Sequence, residues 1–437
     1  MLNTILPLSF IAATRFFGLF ILLPVLSYYA LELRGANEKL VGVLIGVYAI
    51  MQMLLQTPFG ALSDKIGRKN TIAIGLVIFI AGSVICAFAS DIYTMILGRF
   101  VQGCGAIGAV ATALISDFTT EENRGKAMAI MGAMIGCAFG AAMILSPVLS
   151  AKFGLASLFW LSVILTIFCL ILLFSLVPAE PKIRSKMPKK SSLALLRDKN
   201  LSLLNLSNFF QKAFMTTAFF LIPIMLHSKF GFAQDEFIKV YGIAMIFGFL
   251  SMGASGAMGE KHGLSKQILL LGILFFIISY LIFAFANNPY FFIFGVIIFF
   301  AGFNAHEPIM QSLASKFAKT ANRGEALGIF TSFGFFGSFI GGVCGGVAYG
   351  WVGILGIGLV VAVLGAVWFA MILALPDPKI FKNLYFDKAL NFDFSAISGQ
   401  AGIVEIYENG ENFVVKYNSK IISTEEIKNL LGATDAV

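Results

Sequence analysis

Charge is what this chain has least of. Asp, Glu, Lys and Arg make up 12% of its 437 residues, about half the ~25% of an ordinary soluble protein, and 58% of the chain is hydrophobic. That balance excludes a protein that faces water on all sides and points to lipid as its solvent. No G-x-x-x-x-G-K-[ST] occurs, so ATP-driven work has no phosphate-cradling loop to run on, and no enzyme is expected. Cysteine is scarce as well. Cys86, Cys104, Cys137, Cys169 and Cys344 all fall inside apolar runs without C-x-x-C spacing, which favours packing over redox or metal chemistry; neither metal nor cofactor is expected. Gly103-Cys104-Gly105-Ala106-Ile107-Gly108 spells G-x-G-x-x-G, but within an apolar run and not after a strand, so close helix packing outweighs nucleotide binding. The formal net charge of +8 comes with no basic and aromatic face, so it reflects contact with anionic headgroups and not nucleic acid.

What is present is a succession of long apolar runs. Each is near the ~20 residues needed to cross ~30 Å of hydrocarbon. Twelve spans are predicted, at 5–30, 38–61, 70–90, 93–116, 125–150, 155–178, 200–226, 236–259, 265–286, 289–315, 323–350 and 352–375. The first is too long for a signal-peptide core and lacks a basic leader, so it is expected to be retained. Basic residues collect after even-numbered spans, among them Lys65, Arg68, Lys69, Arg124, Lys126, Lys261, Lys266, Lys316 and Lys319. A long central loop adds Lys182, Arg184, Lys186, Lys189, Lys190, Arg197 and Lys199. The positive-inside rule then puts both termini in the cytoplasm. Pro178, Pro181 and Pro188 mark that loop as a connector, with a short amphipathic helix expected near Leu193–Leu196.

The chain repeats itself. Gly60-Ala61-Leu62-Ser63-Asp64-Lys65-Ile66-Gly67-Arg68-Lys69 has a weaker copy in Gly256-Ala257-Met258-Gly259-Glu260-Lys261-His262-Gly263, 196 residues later. Ser116-Asp117-Phe118 followed by Asn123-Arg124-Gly125 recurs as Ser315-Lys316-Phe317 followed by Asn322-Arg323-Gly324, at an offset of 199. Two matched loops at nearly one offset imply two six-helix halves, the build of a secondary transporter.

With those residues in view, the chain resembles the major facilitator superfamily. Gly60, Leu62, Ser63, Asp64, Gly67 and Arg68 match its cytoplasmic loop signature, with Lys65 where Arg is commoner. Leu97-Gly98-Arg99-Phe100-Val101-Gln102-Gly103-Cys104-Gly105 is similar to the fourth-helix signature of its proton-coupled members. Gly132, Gly136, Gly140 and Ser146-Pro147 resemble the fifth-helix antiporter signature, though Ser146-Pro147 and Ser150-Ala151 replace the usual Gly-Pro and Gly-Gly. The resemblance implies a midplane cavity lined by helices 1, 4, 7 and 10. It also implies a cytoplasmic latch in which Asp64 meets the start of helix 11 and Arg68 pairs with Asp117, with Gly60, Lys65, Gly67 and Arg124 around them.

After Pro376-Asp377-Pro378 the composition changes to that of a soluble domain. Strands are predicted at 381–386, 403–408 and 412–417, helices at 394–399 and 424–431, and a tight turn at Asn409-Gly410. Ser423 or Thr424 can cap the last helix, whose first turn holds Glu425 and Glu426. The order βαββα resembles a ferredoxin-like domain of the heavy-metal-associated kind, without the Cys or Met pair that metal capture needs. The expected fold is thus an all-α membrane protein of two six-helix bundles (1–178 and 200–375), joined by a cytoplasmic loop (179–199) and followed by a small α+β domain (380–437). Self-association or docking through that domain is a further expectation.

An ionised group at mid-bilayer costs at least ~2.5 kcal/mol on insertion scales, so such groups face a cavity or a partner. The candidates are Arg15, Arg99, Lys212 and the His306-Glu307-Pro308 cluster. Glu307 is the only carboxyl group the predicted spans put well inside the membrane, which makes it the candidate proton carrier, assisted by His306, Arg99 and Arg15. Lys212 can also snorkel toward the cytoplasmic edge. Phe16, Phe209 and Gln102 join Lys212 as candidates to line the cavity. The resulting expectation is a proton antiporter of the inner membrane exporting a small, fairly apolar compound by alternating access. A proton-coupled or facilitative importer of a metabolite, and a membrane sensor signalling through its tail, stand as alternatives.

Overall fold

Glycine and proline punctuate the apolar runs, and the computed structural model breaks its helices where they stand. It describes residues 2–119, 121–178, 195–318, 323–387, 394, 397, 399–409 and 412–431. In the first half the helices are α1 (Leu2–Phe20), α2 (Leu26–Leu31), α3 (Glu38–Ile66), α4 (Arg68–Ala87), α5 (Ile92–Cys104), α6 (Gly108–Asp117), α7 (Glu121–Phe153) and α8 (Ala156–Ser175). The second half holds α9 (Lys199–Ile224), continued by a π turn at Met225–Lys229, then α10 (Phe237–Lys261), α11 (Ser265–Phe285), α12 (Pro289–Phe317) and α13 (Arg323–Leu373). Among the described residues ten helices are long and apolar enough to cross a membrane.

Two breaks depart from the predicted spans. The first span is two helices, because the chain turns at 21–25 through short-range bonds (Leu23 N–H to Phe20 O, Val25 N–H to Leu22 O) around Pro24, which has no N–H to give. The fourth span divides into α5 and α6 at Gly105, whose carbonyl is taken by side chains from α1 and α3 instead of the next helical turn. The predicted eleventh and twelfth spans correspond to α13, which is two helices joined across a kink at Gly353, at φ 61° and ψ −168°. Gly67, at φ 96°, ends α3 and starts α4 with no intervening loop, a conformation that any side chain would strain. Of the amphipathic helix predicted near Leu193–Leu196, Leu195 and Leu196 are helical and the first two positions lie outside the described residues.

The two halves do not meet evenly. Toward the end opposite Arg68, one continuous core joins Ile21, Leu22 and Phe139 of the first half to Phe219, Tyr241 and Phe300 of the second. Side chains lock this far end: Tyr29 Oη bonds Gln234, Tyr241 Oη gives to Pro24 O at 3.2 Å, and Lys39 Nζ lies 5.5 Å from the Trp351 ring centre. Here α3 lies directly on α13. A Cβ on Gly46 would stand 2.8 Å from Phe339 O, and one on Gly342 2.9 Å from Gly42 O. At the end that carries Arg68 and the tail, the cores separate. One gathers Ile5, Ile72, Leu114 and Leu173, and another gathers Leu201, Ala318 and Ala326. A Cβ placed on Gly60, Gly132, Gly136, Gly253, Gly256 or Gly328 would meet nothing within 4 Å. The halves are parted there.

The tail folds as a three-stranded antiparallel sheet in the order β1-β3-β2, with β1 (Phe381–Asp387), β2 (Ile403–Asn409) and β3 (Asn412–Asn418). All three agree with the predicted strands to within a residue. Val415 faces Leu384 on one side and Ile406 on the other. Ser423 caps α14 (Thr424–Leu430) reciprocally with Glu426. Half of the predicted helix at 394–399 (positions 395, 396 and 398) and the Gly410 turn position lie outside the described residues. The sheet seats on the second half: Phe381 meets Phe317 edge-on at 5.5 Å, Lys416 Nζ gives to Lys316 O at the end of α12, and the Lys379 side chain covers Gly263.

Candidate functional site

Glu307 and Lys212 find each other across 95 residues. Lys212 on α9 and Glu307 on α12 form an ion pair whose side chains keep 24% and 28% of their exposure. The pair is therefore reachable and not sealed in the core. Lys212 Nζ also sits 4.9 Å from the centre of the Phe303 ring, a cation–π contact on the same face. Phe303 in turn meets Phe139 of α7 at 5.9 Å, which puts the ion pair beside the seam between the halves. Phe20 closes on Phe139 at 4.9 Å and stacks on Phe16 at 5.8 Å. Phe209 meets Phe336 of α13 at 5.5 Å. The surroundings of the pair are thus aromatic.

His306 does not join Glu307. It is fully buried, bonds Leu269 O through Nε2 at 2.8 Å, fills the notch above Gly272 and packs on Trp368 and Phe276. Successive helical residues point ~100° apart, and here that difference sends His306 into the bundle while Glu307 faces the seam.

In the first half the two arginines share one polar network. Arg15 donates to Tyr48 Oη, to Gly105 O through Nε at 3.3 Å and Nη2 at 3.1 Å, and to Gln102 O at 3.4 Å. It therefore caps the carbonyl end of α5, where the helix dipole favours a cation. Arg99 donates to Gln102 Oε1 at 2.5 Å and lies 4.5 Å from the Tyr48 ring centre. Gln102 passes the chain on to Ser83 Oγ at 2.8 Å, and Gln52 gives to Gly103 O at 2.6 Å. Arg15, Arg99 and Gln102 are 6%, 1% and 0% exposed, so all three are enclosed. Arg99 Nε has no hydrogen-bond partner. Among the described residues no carboxylate takes part, and the acidic residues of the first half, Glu32, Glu38, Asp64, Asp91, Asp117, Glu121 and Glu122, all fall near helix ends. Sequence reasoning missed Tyr48, Gln52 and Ser83. Their signal was only that of isolated polar residues inside apolar runs.

At the parted end, Arg68 pairs with Asp64 at 2.8 Å and with Asp117 at 3.4 Å, and also donates to Ser63. The predicted Arg68–Asp117 link is present. The Asp64 carboxylate is engaged by Arg68, and a Cβ on Gly60 or Gly328 would meet nothing within 4 Å. Lys65 is exposed, and the side chain of Arg124 lies outside the described residues.

This geometry can be set beside known proteins. The family model described as Major Facilitator Superfamily matches residues 8–258 and 204–398. Inner membrane transport protein YajR of Escherichia coli is 34% identical, covering 97% of this chain and 96% of its own. Tetracycline resistance protein, class B, of Escherichia coli is 23% identical over 78% of this chain and 89% of its own. The crystal structure of nucleoside transporter NupG superposes with a TM-score of 0.68 at 16% identity, over 85% of this chain and 98% of that one, a likeness of fold. A family model that spans both halves and a relative one-third identical from end to end agree with the paired bundles: this chain belongs to the Major Facilitator Superfamily of membrane transporters.

Proposed function

We propose that this transporter couples a small, largely apolar cargo to protons, with Glu307 as the proton carrier. The observation that carries this is the Lys212–Glu307 pair, one titratable carboxylate inside the spans, reachable from the seam and neutralised by a neighbour on another helix. As the halves rock about the seam, the cavity beside the pair opens to one side and then the other. Twelve spans follow if the split α1–α2 segment is one crossing and Gly353 divides α13 into two. Both termini, the central loop (179–199) and the tail (380–437, of ferredoxin-like kind) are then cytoplasmic in an inner membrane, and the parted end is the cytoplasmic one. Asp64, Arg68 and Asp117 would latch that end shut in the opposite state.

Export is the direction that a relative named for tetracycline resistance supports, and exchange for protons is the form of it proposed here. Co-transport is the second reading, and one observation favours it: Lys212 already supplies Glu307 with a counter-ion, so the empty site carries no unbalanced charge across. Glu307→Gln mimics the protonated acid and cannot release a proton. In proteoliposomes with an imposed pH gradient, it is expected to abolish uphill flux while exchange down a gradient persists. Undiminished uphill flux would rule Glu307 out, and the sign of wild-type flux under the gradient separates the two directions.

A further inference from the structure

The charges enclosed by the spans do not balance. The described residues put Arg15, Arg99 and Lys212 there against one carboxylate, Glu307. Away from the span ends, the second half also holds His306, turned into the core, Tyr241, Tyr280 and Tyr349, and Cys344. In the first half Tyr48 is taken by the two arginines, and the buried Cys86 thiol lies near Arg99. The interior is thus a region of positive potential, which attracts anions and repels cations. Only Lys212 among its three cations is both exposed at the seam and bound to a carboxylate that can leave. Arg15 is spent on backbone carbonyls, and Arg99 lies under Tyr48.

We infer that the cargo bears a carboxylate on an aromatic or otherwise apolar body, and that Lys212 is the residue that reads it. The cargo's carboxylate replaces Glu307 on the Lys212 ammonium, while its body lies against the seam rings around Phe303, Phe209 and Phe336. Glu307, left without its cation, takes a proton from water on the open side. The loaded site then holds one ammonium, one bound carboxylate and one protonated acid, so its net charge equals that of the empty site. Cargo anion and proton bind together and help each other by the same factor. This rests on Glu307 as the proton site and belongs to the co-transport reading.

The test uses the purified full-length protein in detergent and three probes of one shape: 2-naphthoate, 2-naphthamide and 2-naphthylmethylamine. Thermal stability is read at about pH 6 and about pH 8, where the acid and amine probes keep their charges. Naphthoate is expected to raise Tm by about 2–4 °C, more at the lower pH, and the amide and amine to leave it unchanged. Lys212→Gln should remove the naphthoate effect and Lys212→Arg should keep it. The doubly neutral Lys212→Gln/Glu307→Gln variant leaves no orphan charge, so it gives the same reading if the single variant fails to fold. Stabilisation by amine or amide equal to that by the acid, no response to any probe, or a full naphthoate effect without Lys212 would each overturn the inference. Glu307→Gln separates the two ideas. Acid selectivity with the pH difference lost supports both; selectivity with the pH difference intact keeps the acidic cargo and removes Glu307 as the proton site.

Discussion

Arg15 and Arg99 look alike in the sequence, two arginines in apolar runs, yet they hold different posts. Arg15 ends a broken helix by satisfying its carbonyls, whereas Arg99 is fixed through Gln102 and Tyr48 and keeps a free Nε. A lysine at 99 retains the charge but loses the planar fork, so Arg99→Lys should reduce proton-coupled flux by about tenfold or more, the equivalent of ~1.4 kcal/mol, with folded yield preserved. Arg15→Met should instead lower yield and Tm, because three carbonyl contacts lose their donor. His306 is a third case. Its ring closes a notch between α11 and α12, so His306→Ala should cost about 3 kcal/mol as a large-to-small core change, while leaving the pH dependence of flux in place. Unaltered Tm with altered pH dependence would return His306 to the site. These distinctions were not legible in the sequence. It singled out the buried charges by the cost of burying them, but whether a neighbour is a carbonyl, a ring or a carboxylate depends on residues 33 to 95 positions away.

At the level of helices, the contrast between the two ends is carried by glycine. Where α3 lies on α13, Gly42, Gly46, Gly342 and Gly346 bring backbone against backbone, and at the parted end Gly60 and Gly328 face nothing. Side chains added at these two places should therefore act in opposite senses. Gly46→Val wedges the far end apart and should shift the protein toward the opposite state. Gly328→Val fits the present state without strain and should hold the protein in it. Distances between spin labels at Lys65, at the end of α3, and at the end of α12 would shorten in the first variant and lengthen on average in the second; equal effects would show that neither contact biases the equilibrium. The positions of nearly all the helices could be read from hydrophobic run length alone, as could the three tail strands from alternation. The breaks at 21–25 and Gly105 could not, because they depend on side chains arriving from other helices to take the freed backbone groups.

On the scale of the whole molecule, the two halves and the tail form an asymmetric set. The repeat at offsets of 196 and 199 residues announced the halves, but nothing in the sequence said which half would hold the tail. The tail seats on the second, and its Lys416 caps the carbonyl end of α12, the helix that also carries Glu307. Ending the chain after Lys379 should leave a folded bundle that still transports, with faster amide hydrogen exchange over the last turns of α12. A well-folded truncation that binds no cargo would move the tail into the transport path.

A sheet seated on one jaw is a pointer on a dial. Its base turns with the second half, so the gap between its outer edge and Lys65 at the end of α3 in the first half tracks the stage of the cycle. A donor dye at Lys420, exposed at the end of β3, and an acceptor at Lys65 would turn that gap into an optical signal. Each turnover could then be watched in a single molecule without touching the membrane-embedded region at all.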